Sequence, residues 1–202
     1  TWQKRHLMHK SMSETRNPKV PSTIIELLSH HNYYDMTFGL DPKFKFIVSR
    51  AIYKGMLRFI HQTTGTPYVV QPLPVQQMNI SYANNDSLHI RWAERVDRLE
   101  PTATPTYYIV YTRTSQLKDG QWQTSDWDNG IRVSDANATI PIKRGMKYDF
   151  IVRAGNNGGV SLPSEVLSAY IAPQYNNKLA LIINGFHRVD APEMFGIDSI
   201  TG

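Results

Sequence analysis

The chain has 202 residues, which suits one or two domains, and its 41% hydrophobic content is enough for ordinary cores. It contains no cysteine, so a disulfide framework and a thiolate metal site are both excluded. No stretch approaches the roughly 18 to 20 consecutive apolar residues of a membrane-spanning helix.

The net charge of +5 is concentrated at the N-terminal end. Residues 1–65 hold 10 Lys and Arg against 4 Asp and Glu, residues 66–173 hold 10 against 10, and residues 174–202 hold 2 against 3. A basic segment of this kind is either a solvated face or a surface for an anionic partner, and the sequence leaves both open. Nucleic-acid binding is not indicated, because there is no dense Lys/Arg cluster and no finger or basic-zipper spacing.

The basic segment predicts a strand followed by a long helix. The apolar run Ser22–Leu28 is typical of a strand that is buried on both faces. Asp41 and Pro42 predict the N-cap and first residue of a helix that runs to about Gln62. One apolar stripe at three- and four-residue spacing supports this helix. Its members are Phe44, Ile47, Val48, Ala51, Ile52, Met56, Phe59 and Ile60.

A single strand and a single helix bury too little apolar area to offset the entropy of ordering them. We therefore expect residues 1–65 to be the last part of an α/β domain that is completed by a missing half or by another chain. The start at Thr1, with no initiating Met and no signal peptide, favours a piece of a longer protein.

The middle of the chain predicts an all-β module. Residues 66–73 form a Pro-containing linker, and residues 74–173 alternate apolar with polar side chains in short runs such as Leu88–Trp92 and Tyr148–Ala154. Turn sequences rich in Asn, Asp and Gly separate these runs. Period-two runs between frequent turns are typical of a β-sandwich.

Particular residues make this segment resemble a fibronectin type III domain. Trp92 stands where that family has its strand-B core tryptophan, and Tyr148 stands where it has the tyrosine corner before strand F. The stretch 156–165 resembles the F–G loop and the start of strand G. The resemblance implies a mainly β fold, an immunoglobulin-like sandwich with an α/β strand–helix fragment before it.

After a polar hinge, the apolar run 179–186 predicts a buried strand. We expect residues 174–202 to hold this hinge and the first strand of a further, truncated domain.

The first segment resembles the C-terminal part of the zinc-dependent N-acetylmuramoyl-L-alanine amidases. Arg16 lies five residues before Pro21, and Pro21–Glu26 matches the family's run of a proline, an apolar strand and a glutamate. The predicted helix matches the closing helix of that family.

The resemblance implies a role for Glu26 as general base and acid beside a zinc-bound water. It also implies substrate contacts by Arg16, Tyr33 and Tyr34. The family's zinc ligands lie upstream of this segment, so zinc belongs to the intact parent and none is expected here. Without the resemblance, Glu26 is a strand-end carboxylate that pairs with a neighbouring Arg, and the two tyrosines anchor a loop.

The histidines do not form the family's metal set. His30 and His31 are adjacent, so on a strand their side chains would point to opposite faces, and we expect a loop or rim role for them. His6 and His9 fit the surface of the basic segment.

Two further motifs remain open. Trp122 and Trp127 flank polar residues, and an exposed aromatic ring in such surroundings either stacks on a sugar ring or covers the sandwich edge. Asn137–Thr139 fits the N-glycosylation triplet, which we interpret as chance.

The order of segments resembles large secreted Bacteroidetes proteins labelled xanthan lyases, although no residue here indicates lyase chemistry. We expect a secreted, periplasmic or cell-surface protein whose partner is peptidoglycan or another polysaccharide. Three functions stay open: a peptidoglycan amidase parent, a non-catalytic spacer or carbohydrate-binding module, and part of a polysaccharide lyase.

Overall fold

The computed structural model describes residues 12–84, 86–170 and 172–173. These residues fall into two compact units, residues 12–52 and residues 53–173. The strand predicted at 179–186, and with it the hinge and truncated domain at 174–202, lies outside the described residues, as do His6 and His9. No helix among the described residues is long and apolar enough to cross a membrane.

The first unit is helical. Its elements are α1 (Ser13–Arg16), α2 (Tyr33–Gly39) and the start of α3 (Pro42–Thr64), whose second half belongs to the other unit. The predicted cap of α3 is confirmed, because Asp41 Oδ1 accepts a hydrogen bond from the Lys43 amide at 2.8 Å. The helix therefore begins where the sequence predicts.

The strand predicted over Ser22–Leu28 is not formed, and the prediction was wrong. Residues 17–32 contain neither helix nor strand. A strand needs a neighbour that pairs with its backbone groups, and the described part of residues 12–52 offers none. Leu28 also has a φ of 59°, which breaks an extended run.

The second unit is a two-layer β-sandwich. Its strands are β1 (Gln76–Asn84), β2 (Ser87–Ala93), β3 (Tyr107–Lys118), β4 (Gln121–Thr124), β5 (Ile131–Val133), β6 (Asn137–Pro141), β7 (Met146–Asn156), β8 (Gly159–Val160) and β9 (Leu167–Tyr170). The smaller sheet has the order β1-β2-β6. The larger sheet has the order β4-β3-β7-β8, with β5 also paired to β3 and β9 to β7. All of these pairings are antiparallel.

Alternation along each strand places one set of side chains between the sheets. Leu88, Ile90 and Trp92 of β2 face Tyr148, Phe150 and Val152 of β7, as the sequence pattern predicts. The buried core is completed by Val75, Tyr108, Val110, Ala138, Ile140 and Ala154. The predicted fold class, mainly β with an immunoglobulin-like sandwich, is confirmed. The N-terminal fragment, predicted as an α/β strand and helix, contains only helices among its described residues.

Two of the three fibronectin type III signatures, Tyr148 and Trp92, take their expected places. The Tyr148 hydroxyl accepts a hydrogen bond from the Lys143 amide at 2.6 Å, which forms a tyrosine corner at the start of β7. Trp92 is buried on β2 and packs edge-to-face on Tyr108, with ring centroids 5.3 Å apart. The strands from β1 to β9 therefore form a fibronectin type III-like sandwich.

The β3–β4 hairpin follows from its turn residues. Asp119 and Gly120 have φ values of 51° and 77°. Two consecutive residues at positive φ are what a tight two-residue hairpin requires, and Gly tolerates this conformation because it lacks a Cβ. The turn carries β4 to the edge of the larger sheet.

Candidate functional site

Glu26 lies on the surface in the irregular stretch between α1 and α2. Within the described residues its carboxylate has no hydrogen bond and no ion pair. The strand-end pairing with an arginine, the alternative to catalysis, is therefore absent from this part of the chain. The buried strand that would have fixed the carboxylate is absent as well, so its catalytic role stays a prediction.

The predicted substrate-binding residues are also exposed. Arg16 ends α1, and Tyr33 and Tyr34 begin α2 with 54% and 68% of their surface exposed. The two tyrosine rings meet edge-to-face with centroids 6.1 Å apart. The Asn32 side chain caps this helix by accepting from the Tyr34 amide at 3.0 Å, which fixes where the tyrosines stand.

A cleft of about 450 Å³ lies in the first unit, and none of the four predicted residues lines it. Its walls are mainly apolar and include Leu28, Met36, Phe44 and Val48, and His30 also lines it. His30 lies in a turn before α2, and its predicted rim role stays a prediction. The structure does not bring Glu26, Arg16 or the tyrosines together at this cleft.

No metal centre can be built from the described residues, because no three His, Cys, Asp or Glu side chains come together. The His30 and His31 rings lie 3.8 Å apart between centroids and have no third candidate ligand. This donor set does not fit zinc. A zinc ion in the parent protein would need ligands from elsewhere, and its presence stays a prediction.

The second half of α3 is held to the loop after β2 by charged side chains. Lys54 Nζ lies 3.1 Å from Asp97 Oδ2, and their side chains are only 12% and 10% exposed. Arg58 lies 3.2 Å from Glu100 Oε2 and donates to the Tyr68 hydroxyl at 3.3 Å. Both pairs join the second half of α3 to this loop, and the Lys54–Asp97 pair is the more sheltered from solvent and the less screened by salt.

Hydrogen bonds within the loop after β2 hold the carboxylates that pair with Lys54 and Arg58. The Asp97 carboxylate accepts from the Leu99 amide at 3.1 Å, and the Glu100 carboxylate accepts from the Thr102 hydroxyl at 2.8 Å. The sequence shows Lys54 and Arg58 as residues off the apolar stripe, but it does not show their partners, which lie about 40 residues away.

The residues predicted as a linker pack on the sandwich. Val70 is fully buried, and Asn156 Nδ2 donates to its carbonyl oxygen at 2.8 Å. The same amide group donates to the Thr102 and Thr104 carbonyls at 3.0 and 3.2 Å. Asn156 thus joins residues 66–73 and the 3₁₀ turn Pro101–Ala103, with the residue after it, to β7. Asn156 was predicted in the F–G loop, but it is the last residue of β7, and the sequence does not indicate these contacts.

A charged network occupies the outer face of the larger sheet. The Asp149 side chain is 1% exposed and accepts from Ser168 Oγ at 2.6 Å and from Arg113 Nε at 2.9 Å. Lys147 Nζ lies 3.1 Å away. Burial acts to raise the pKa of Asp149, but the hydrogen bonds from Ser168, Arg113 and Lys147 outweigh it and hold the pKa below its ordinary value.

Trp122 and Trp127, for which sugar stacking and edge cover were both left open, differ in their surroundings. Trp122 is 48% exposed on β4 and meets Tyr170 edge-to-face. Trp127 is half-buried and lies beneath the Arg113 guanidinium, 4.7 Å from its ring centroid. Only Trp122 keeps a large free surface.

No family model matches the chain, and no curated protein matches it. Among solved structures, the third fibronectin III domain of the human KIAA0343 protein is 12% identical, with 57% of this chain and 94% of that chain covered and a TM-score of 0.42. The domain of human fibronectin type III domain containing protein 3 is 21% identical, with 54% and 94% covered and a TM-score of 0.39.

The kinase region of C. elegans twitchin is 20% identical, with 55% of this chain covered and a TM-score of 0.40. The chain spans only 18% of that structure and 18% of the matched titin kinase structure with its flanking domains. The fold assignment for this chain rests on its own sheet order, core and tyrosine corner.

Proposed function

We propose that residues 53–173 act as a stiff spacer module in a multi-domain protein. The sheltered Lys54–Asp97 ion pair carries this proposal, because it fixes the helix that leads into the sandwich. The Asn156 contacts support it, since they fix the 66–73 segment that follows the helix. A spacer whose entering segment is held in place keeps the domains on either side of it at a fixed orientation. A spacer with a flexible Gly/Ser-like linker does not.

The absence of cysteine allows a direct test by paired spin labels at introduced cysteines. Labels at Gln62→Cys and Lys118→Cys report the distance from α3 to the β3–β4 hairpin, both on exposed positions of the second unit. We expect a narrow distance distribution that broadens when Lys54→Ala and Arg58→Ala are combined. Lys43→Ala and Lys45→Ala, on the first turn of α3, are the matched control pair. If the distance distribution is as broad in the unaltered chain as in the Lys54→Ala/Arg58→Ala variant, the stiff-spacer proposal is overturned.

The amidase parent is a second candidate, supported by the sequence run around Arg16 and Pro21–Glu26. In this candidate Glu26 transfers protons, and Tyr33 and Tyr34, which are exposed just after it in the chain, contact peptidoglycan. It places the protein in the cell envelope or outside the cell. Zinc analysis and peptidoglycan digestion by the parent protein, beside Glu26→Gln, test it. Equal digestion by both proteins removes Glu26 from the mechanism.

The lyase candidate rests on the order of segments alone. A parent protein that cleaves xanthan with release of unsaturated sugar ends would support it, and an intact polymer would oppose it.

A further inference from the structure

Two aromatic rings form an open corner on the outer face of the larger sheet. Trp122 lies opposite Leu117 of β3, and Tyr170 lies opposite Lys147 of β7. Core side chains occupy the alternate positions on both strands, so these four side chains point away from the core. The Trp122 and Tyr170 rings stand at 84° with centroids 5.7 Å apart.

The corner leaves large apolar surfaces open. Trp122, Tyr170 and Leu117 are 48%, 49% and 52% exposed. An edge-to-face contact occupies one ring edge and one ring face, so a flat surface of the pair stays available to a ligand. Three half-exposed apolar side chains in neighbouring strands form a patch rather than the scattered single residues of an ordinary surface.

The hairpin that carries the corner is rich in neutral hydrogen-bonding groups. Strand β4 has the sequence Gln-Trp-Gln-Thr and no charged residue. On its other face an open groove of about 240 Å³ is lined mainly by hydroxyl and amide groups, including those of Gln116, Gln123 and Ser125, with Lys118 at its edge. These amide and hydroxyl groups lie on the face opposite the aromatic corner, so a ligand contacts both sets only where it crosses the edge strand β4.

From this arrangement we propose that the Trp122–Tyr170 corner binds a polysaccharide chain. A sugar ring has an apolar C–H face that stacks on an aromatic ring and a rim of hydroxyls that bond to amides and hydroxyls. Strand β4 carries no charge, and Lys147 beside Tyr170 is paired with Asp149 at 3.1 Å. The corner therefore fits this ligand better than an acidic or basic peptide, whose recognition uses opposite charges. The spacer role proposed above does not depend on this binding surface.

Trp127, in the loop after β4, provides a matched control close to Trp122 in sequence. Its ring lies beneath Arg113 and is half-buried, so a sugar cannot stack on it without displacing the guanidinium. Trp122→Ala and Trp127→Ala remove the same chemical group from positions five residues apart. Only the first should affect binding, because only Trp122 offers a free aromatic surface.

The test is titration of the intact chain with cellohexaose and chitohexaose, followed by calorimetry and by the indole N–H resonances in NMR spectra. We expect saturable binding of at least one of them, with a shift of the Trp122 indole resonance. Trp122→Ala should weaken this binding at least about tenfold, which corresponds to about 1.4 kcal/mol, and Trp127→Ala by less than about twofold. Tyr170→Ser is the second variant, and it should weaken binding in the same direction.

Thermal unfolding of each variant shows whether it remains folded. If Trp122→Ala does not fold, Tyr170→Ser takes its place in the comparison with Trp127→Ala. The absence of saturable binding to both saccharides overturns the proposal. Equal losses in Trp122→Ala and Trp127→Ala overturn it as well, because that result places the ligand elsewhere.

Discussion

Asn156 and Val70 are 86 residues apart in sequence, and the Asn156 side chain donates a 2.8 Å hydrogen bond to the Val70 carbonyl. The Asn156 Oδ1 atom meanwhile accepts from the Gly158 amide at 2.8 Å. The buried amide thus uses both its donor and its acceptor groups, and it ties the entry of the sandwich to β7. Here hydrogen bonds from one small polar side chain hold two segments together, as apolar contacts do in the core.

Replacing Asn156 should destabilise the sandwich strongly. Asn156→Ala leaves the carbonyls of Val70, Thr102 and Thr104 without this donor, and a buried orphaned polar group is costly. We expect a loss of ~2–4 kcal/mol in the free energy of unfolding, measured by urea denaturation. Asn157→Ala, at the exposed neighbouring position, is the control and should change stability by less than about 0.5 kcal/mol. Similar losses of unfolding free energy in the two variants would show that the hydrogen bonds of the Asn156 side chain do not stabilise the sandwich.

Removing the hydrogen bond of the tyrosine corner should destabilise the sandwich less than replacing Asn156. Tyr148→Phe keeps the buried ring but removes the acceptor of the Lys143 amide, so we expect a loss of ~1–2 kcal/mol. Tyr82→Phe is the comparison, since its hydroxyl makes only a 3.4 Å contact to the Tyr170 carbonyl on the surface. Chemical denaturation of both variants measures the difference. An undisturbed Tyr148→Phe protein would contradict a structural role for the corner.

Acid should weaken the network around Asp149. Because the pKa of Asp149 is lower in the folded chain than in the unfolded chain, its contribution is fully present above the unfolded value of about 3.9. That contribution is lost as the pH falls through the lower, folded value. Asp149→Asn should therefore be less stable than the unaltered chain at pH 7, and the gap should narrow below pH ~4.

Urea midpoints between pH 7 and pH 2 measure this narrowing. Asp126→Asn, at an exposed position of the loop after β4, controls for general loss of negative charge. A constant gap between Asp149→Asn and the unaltered chain over the whole range would show that Asp149 has the same pKa in both states.

The anchoring of α3 predicts a local effect on dynamics. In the Lys54→Ala/Arg58→Ala variant, the amides of Tyr53–Thr64 should exchange at least about tenfold faster with solvent, because opening of this segment no longer breaks two ion pairs. Amides in β3 and β7 should keep their rates. Hydrogen exchange followed by mass spectrometry resolves these segments. Unchanged exchange in α3 would mean that the ion pairs contribute nothing to its docking.

The sandwich was predictable because its information is local. Alternation in Leu88–Trp92 and Tyr148–Ala154, with Asn, Asp and Gly at the turns, specifies strand faces and hairpins without knowledge of distant contacts. The N-cap at Asp41 is equally local, since the cap and its amide partner are two residues apart.

The contacts that were not predicted are long-range. Asn156 donates to carbonyls more than 50 residues away in sequence, and Lys54 donates to Asp97, 43 residues away. The residues next to Asn156 and Lys54 in sequence therefore do not indicate these partners. The Ser22–Leu28 prediction failed for a related reason. An apolar run is compatible with a strand, but a strand forms only where a neighbouring strand supplies hydrogen bonds, and composition does not report that neighbour.

Hydrogen exchange at the Val70 amide in the unaltered chain is the sharpest single measurement. This amide donates to the Thr102 hydroxyl at 3.1 Å, beside the carbonyl that Asn156 binds. If the entry segment is clamped, Val70 exchanges as slowly as the buried amides of β7, through unfolding of the whole sandwich. If Val70 exchanges at the rate of an unstructured linker, the segment is loose and the stiff spacer is wrong.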